Sequence, residues 1–161
     1  DDVQLKITDN QVLFTFGQTQ FYSRLLEGNY PDTTRLIPTD STTTIQIDAS
    51  TLLASVERAS LLSHESRNNV VRLQVNPAEN MATLSSNSPD VGNVEEELSL
   101  SSLVGNELDI SFNPDYLKDA LRAFGSTEIK LSFTTNLRPF TLVPSEDAEH
   151  YIQLITPVRT F

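Results

Sequence analysis

The chain has 161 residues, 38% of them hydrophobic, which is enough for one full core and a second, incomplete piece. It has no cysteine, so disulfides, thiolate nucleophiles and Cys-based zinc sites are excluded. A formal charge of -11 repels nucleic acid, because ordinary adhesion to phosphates draws on Lys and Arg. No apolar run approaches the roughly 20 residues a membrane span needs, and Asp1-Asp2-Val3 lacks the basic start of a secretory signal. The expectation is a soluble, cytoplasmic chain.

Residues 3–7 alternate apolar and polar, and residues 11–16 do so again after the turn-like Thr8-Asp9-Asn10, which predicts a β-hairpin. An extended stretch over 19–26 runs into Gly28-Asn29-Tyr30-Pro31-Asp32, where Gly and Pro break regular structure, so residues 27–41 read as a connector. Residues 42–47 are rich in β-branched side chains and predict a strand. Asp48 then stands where an N-cap would stand before Leu52, Leu53, Val56, Ala59 and Leu62 at helical spacing. Alternation over 70–75, 81–84 and 94–100, with Asn76-Pro77 and Ser88-Pro89-Asp90 as turns, predicts three more strands.

The pattern then restarts. Residues 108–112 read as a strand, Asn113 as a cap and Pro114 as the first helical residue, and Leu117, Ala120, Leu121 and Phe124 form a stripe that ends at Gly125. Strands follow at 128–133, 139–143 and 151–155. Placing Asp48 over Asn113 superposes the two strand-to-helix junctions, so the chain reads as an α+β fold, an internal duplication of a strand-helix-three-strand unit. Each helix is apolar on one side only, so both should lie on one face of the antiparallel sheets and bury Leu52, Val56, Leu117 and Leu121 there. The outer face of the second helix would then present Lys118 and Arg122, an i,i+4 basic pair, and the first helix Arg58.

Catalytic constellations are thin. His64 and His150 sit in polar segments without HExxH spacing, and there is no GxSxG, phosphate loop or GxGxxG. The acidic runs Glu95-Glu96-Glu97 and Glu146-Asp147 read as solvated charge rather than a cation site. The ending Leu154-Ile155-Thr156-Pro157-Val158-Arg159-Thr160-Phe161 admits two readings, a frayed terminal strand or the lining of a groove for an extended peptide.

Two segments, Tyr22-Ser23-Arg24-Leu25-Leu26-Glu27-Gly28-Asn29-Tyr30-Pro31-Asp32 and Gln153-Leu154-Ile155-Thr156-Pro157-Val158-Arg159, resemble the bacterial DNA polymerase III beta subunit, the beta sliding clamp. Ile110-Ser111-Phe112-Asn113-Pro114-Asp115-Tyr116 resembles its third domain, and the likeness is strongest to clamps of low-GC Gram-positive bacteria. The resemblance implies the DNA-clamp fold, with sheets outside and two helices on the inner face. It implies residues 1–30 as the last strands of an incomplete second domain, 31–41 as the connector and 42–161 as the third domain.

It also implies a processivity factor that encircles double-stranded DNA as a homodimer ring. That role needs no cofactor or metal and no catalysis, and any polymerase activity would belong to the holoenzyme. Partners implied are the replicative polymerase, clamp loader, ligase, mismatch-repair and translesion proteins, through short motifs. Their implied pocket is Pro31, Arg35, Leu36, Asn113, Tyr116, Pro139, Leu154, Ile155, Pro157, Val158 and Arg159. Arg58, Lys118 and Arg122 would face DNA, and Leu61 and Leu62 the neighbouring protomer. The alternatives are a peptide-binding module unrelated to replication and a small enzyme using acidic residues with His64 or His150.

Overall fold

The computed structural model describes residues 2–64 and 69–159; Asp1 and the tail residues Thr160 and Phe161, about which expectations were stated above, lie outside the described residues. The chain divides into two compact units, Asp1–Thr33 and Thr34–Phe161.

In the first unit β1 (Gln4–Ile7), β2 (Gln11–Phe16) and β3 (Thr19–Arg24) form an antiparallel sheet in that order. The expected hairpin is therefore a three-stranded meander, because the extended stretch after Gly17 folds back on β2 from Phe16↔Thr19 to Gln11↔Arg24. Three strands bury little by themselves: Leu5, Ile7, Phe16 and Phe21 are exposed, and Phe14 and Phe21 meet with ring centroids 6.1 Å apart.

In the second unit the order is β4 (Thr43–Asp48), α1 (Ala49–Ser63), β5 (Val71–Asn76), β6 (Met81–Ser88), β7 (Gly92–Glu97), β8 (Ser102–Gly105), β9 (Leu108–Phe112), α2 (Pro114–Phe124), β10 (Glu128–Phe133), β11 (Phe140–Pro144) and β12 (Gln153–Ile155). Two antiparallel sheets result, β12-β11-β10-β4-β8 and β7-β6-β5-β9. The helices pack against each other on these sheets, α1 mainly over β6 and β7 and α2 near β12.

Both helices start as their caps dictate. The Asp48 carboxylate accepts from the Thr51 amide at 2.8 Å, and Asn113 Oδ1 from the Asp115 amide at 2.9 Å. Each cap satisfies a backbone donor that the first helical turn leaves without a partner.

The duplication is visible as an exchange of strands. The first strand of each repeat pairs in the other repeat's sheet: β4 beside β10, with Ile45↔Leu131 and Ile47↔Ile129, and β9 beside β5, with Ile110↔Leu73 and Phe112↔Val71. All eight of these side chains are buried, so the rungs that join the repeats are also the centre of the core. Separating the repeats would expose it.

One expectation is corrected. The stretch 94–100 is not one strand: β7 ends at Glu97, Leu98 to Ser101 cross over, and β8 pairs with β4, so four strands follow α1. The crossover is held by Leu98 N–H donating to Ala82 O and Ser101 N–H to Gln46 O, both at 2.8 Å. These bonds anchor its two ends to different sheets, which a uniform alternation cannot encode.

Candidate functional site

The end of β9, the start of α2 and the C-terminal segment meet in one place. Beyond β12 the chain leaves the five-stranded sheet, Pro157 bridges Phe112 on β9, and the Val158 amide donates to Ser111 O at 2.7 Å. Proline has no N–H, so the donated bond comes from the next residue. Phe140↔Ile155 and Thr141↔Leu154 set β12 beside β11, which places Pro139 at the same end. The fold thus gathers Asn113, Tyr116, Pro139, Leu154, Ile155, Pro157 and Val158, with exposed Arg159 following them.

Their exposures differ in a way that separates roles. Tyr116 is 60% exposed on the first turn of α2, and Pro139, Leu154, Pro157 and Val158 are half-buried. Ile155 is buried and packs with the core, and Asn113 Oδ1 is committed to the α2 cap. Arg35 closes a single 3-10 turn and exposed Leu36 follows it. The chain after Leu36 is tied beside the β10–β11 turn by Thr134 Oγ1 donating to Asp40 O at 2.9 Å and by Arg138 near Asp40 at 3.5 Å. Pro31 lies exposed in the first unit.

The helix cations are all held by carboxylates. Arg58 clasps Glu96, whose Oε1 also accepts from Ser55 Oγ at 2.8 Å. Arg122 lies 3.1 Å from Asp119 and 3.2 Å from Glu57. Lys118 corrects an expectation: it is not on the solvent face but buried, with Nζ 2.8 Å from Asp115 Oδ1. The flank of α2 that carries it packs on α1, so this helix buries two sides rather than the single stripe its apolar residues mark. Leu61 on α1 is 70% exposed and Leu62 half-buried.

His64 and His150 are exposed beside Asp115 and Asp147, and among the described residues no group of three or more His, Asp or Glu side chains could hold a metal.

Four carboxyls are held below their ordinary range: Asp48 by the Ser50 hydroxyl, Glu96 by Arg58, Asp109 by Arg72 and Asp115 by Lys118, in each case through a hydrogen bond. A lowered folded-state value means stability that is fully present above the ordinary carboxyl range and lost as pH falls through the lowered values. Urea unfolding should therefore give constant stability from pH 7 to 5 and a decline below about pH 4. Solvent screening keeps that decline shallow, and Asp115→Asn should remove part of it.

Residues 34–159 match the family described as "DNA polymerase III beta subunit, C-terminal domain". The chain belongs to the DNA polymerase III beta subunit family. Its relatives include the beta sliding clamp of Streptococcus pneumoniae, 47% identical over 160 residues, and that of Bacillus subtilis, 49% identical over 159 residues. Each alignment covers 99% of this chain, and the chain spans 42% of the length of either relative. The crystal structure of the S. pneumoniae DNA polymerase III beta chain superposes with a TM-score of 0.91 over 98% of this chain and 41% of that one, at 47% identity. The B. subtilis sliding clamp gives 0.89 over 99% and 41%, at 48% identity. The clamp fold and the Gram-positive likeness read from the sequence are borne out.

Sequence reasoning missed two features of the site. The Arg58–Glu96 clasp joins residues 38 apart, and Asn69 contacts Asp115 across 46, separations that no periodicity reports. Only the i,i+3 spacing of Asp115 and Lys118 was there to be seen.

Proposed function

We propose that this chain is the C-terminal portion of a processivity factor that closes around double-stranded DNA as a homodimer ring and tethers the replicative polymerase to it. The observation that carries the reading is the family match over residues 34–159, shared with relatives named beta sliding clamp. The acidic charge supports it: a ring holds DNA by topology, and contacts that are individually weak let it slide. Arg58 and Arg122 supply the DNA-facing side, and their carboxylate partners keep those contacts weak. Leu61 and Leu62 serve as the protomer interface. Residues 1–30, 31–41 and 42–161 are the end of a second domain, a connector and a third domain. No helix among the described residues is long and apolar enough to cross a membrane, in keeping with a role beside cytoplasmic DNA. Catalysis belongs to the polymerase and not to this subunit.

The same reading assigns a peptide pocket to Arg35, Leu36, Asn113, Tyr116, Pro139, Leu154, Ile155, Pro157, Val158 and Arg159. Half-buried apolar walls beside an exposed, rigid tyrosine suit a short motif with two apolar anchors. Polymerase, clamp loader, ligase, mismatch-repair and translesion proteins would compete there. The test is fluorescence anisotropy of a labelled peptide bearing glutamine followed by leucine and phenylalanine anchors. Saturable binding, weakened at least about tenfold by Tyr116→Ala with Leu36→Ala, is expected. No binding, by this chain or by a protomer of the relatives' full length, would remove the pocket from the proposal. Equal binding of unrelated apolar peptides would favour a general interaction module.

A further inference from the structure

Polar side chains between α1 and α2 form a closed circuit. Lys118 Nζ, 2.8 Å from Asp115 Oδ1, also donates to Ser60 Oγ at 3.3 Å. The other carboxylate oxygen, Asp115 Oδ2, accepts from Asn69 Nδ2 at 2.7 Å, and Asn69 Oδ1 accepts from Ser63 Oγ at 2.8 Å. Ser60 and Ser63 lie one turn apart at the end of α1, so the circuit returns to the helix it left. His64 Nε2 stands 3.5 Å from Asp115 Oδ1 at its rim.

What the circuit brackets is Leu61 and Leu62. Ser60 and Ser63 are buried on either side of them, while Leu61 points outward with 70% of its surface exposed. A buried ammonium is costly, and an apolar side chain could fill the same space; in some proteins such a buried charged group fixes one arrangement among several. Here the fixed element is the last turn of α1. We propose that Lys118 is a positioning residue that holds this turn so that Leu61 and Leu62 are presented to a neighbouring protomer, and is not a DNA contact of the Arg122 kind. The role of the leucines rests on the function proposed above; the bracing of the turn does not.

Hydrogen exchange on this chain tests the bracing. Lys118→Met should speed the amides of residues 60–64 by about tenfold while leaving those of β5 unchanged. Ser60→Ala, a milder change that cuts the Lys118 link to α1 together with the bond that Ser60 Oγ donates to Glu57 O at 2.8 Å, should do the same to a smaller degree. In a protomer of the relatives' full length, Lys118→Met should raise the rate of subunit exchange several-fold. Adding it to the double change Leu61→Ala, Leu62→Ala should raise that rate no further, because Lys118 acts through those two side chains. The salt dependence of DNA retention should follow Arg122→Gln but not Lys118→Met.

Unchanged exchange at residues 60–64 overturns the proposal. Effects that add to those of the Leu61→Ala, Leu62→Ala double change overturn it in favour of a general structural role, and a salt dependence altered as by Arg122→Gln overturns it in favour of a DNA contact. If that double change itself leaves subunit exchange unaltered, the interface reading fails and the link from Lys118 to it fails too, while the amide data still decide whether the circuit holds the turn.

Discussion

Gly105→Ala is expected to destabilise the second unit by on the order of 3–5 kcal/mol, enough to leave much of the protein unfolded at 37 °C. Gly105 ends β8 opposite Thr43 with φ +121°, a conformation that side chains rarely adopt. An added Cβ would land on Thr42 O and lie 2.6 Å from Thr43 Cα and 2.9 Å from Thr42 C. These are backbone atoms that cannot swing aside. The chain doubles back tightly here, with Thr43 Oγ1 donating to Asn106 O at 2.8 Å and the Asn106 amide donating to Thr42 O at 3.2 Å. Relief of the clash would therefore cost β8 its place on β4. Gly17→Ala is the control: φ is +56° but nothing lies within 4 Å, so about 1 kcal/mol is expected. Thermal melting of the two variants checks the contrast, and equal losses would mean that β8 detaches without consequence.

The same glycine shows where the sequence stopped being legible. Elements with a strong local signal were readable from their letters: Asp48 and Asn113-Pro114 announced their helices, and the overlay of those two junctions revealed the duplication. The crossover after β7 was not readable, because Leu98, buried in the core, continues the alternation of the strand before it, and the turn that ends β8 is specified by contacts with Thr42 and Thr43, some sixty residues earlier. Lys118 was misplaced for a related reason. Helical spacing gives an apolar stripe, but the packing of α1 on α2 decides which polar flank is also covered. The pocket residues came from resemblance alone; 31–36 and 153–159 carry no periodicity that would join them to Asn113 and Tyr116, and the fold brings 153–158 there through the Phe112–Pro157 bridge.

That bridge motivates a comparison of two aromatic truncations at the same end of the molecule. Phe140 is buried at the start of β11, its ring 4.9 Å from Phe133 and 5.7 Å from Phe112, and its backbone lies opposite Ile155. It also lines an internal void of about 10 Å³ with apolar walls only, bounded by Ile45, Leu52, Leu117 and Leu131 among others. An all-apolar space of that size does not recruit water to compensate a deletion. Phe140→Ala should therefore cost about 3–5 kcal/mol in urea unfolding, since the transfer loss and the enlarged cavity add. Tyr116→Ala, at 60% exposure, should cost well under 1 kcal/mol. Peptide binding should rank them differently. Tyr116→Ala removes an exposed wall and should abolish most of the affinity in a protein that melts normally. Phe140→Ala should weaken binding only as far as it loosens Ile155 and, beyond it, Pro157 and Val158, so added stabiliser such as sucrose should restore part of the affinity. Recovery of Tyr116→Ala under the same treatment would mean that the tyrosine supports the fold rather than the peptide, and the wall of the pocket would have to be sought among Leu154, Pro157 and Val158.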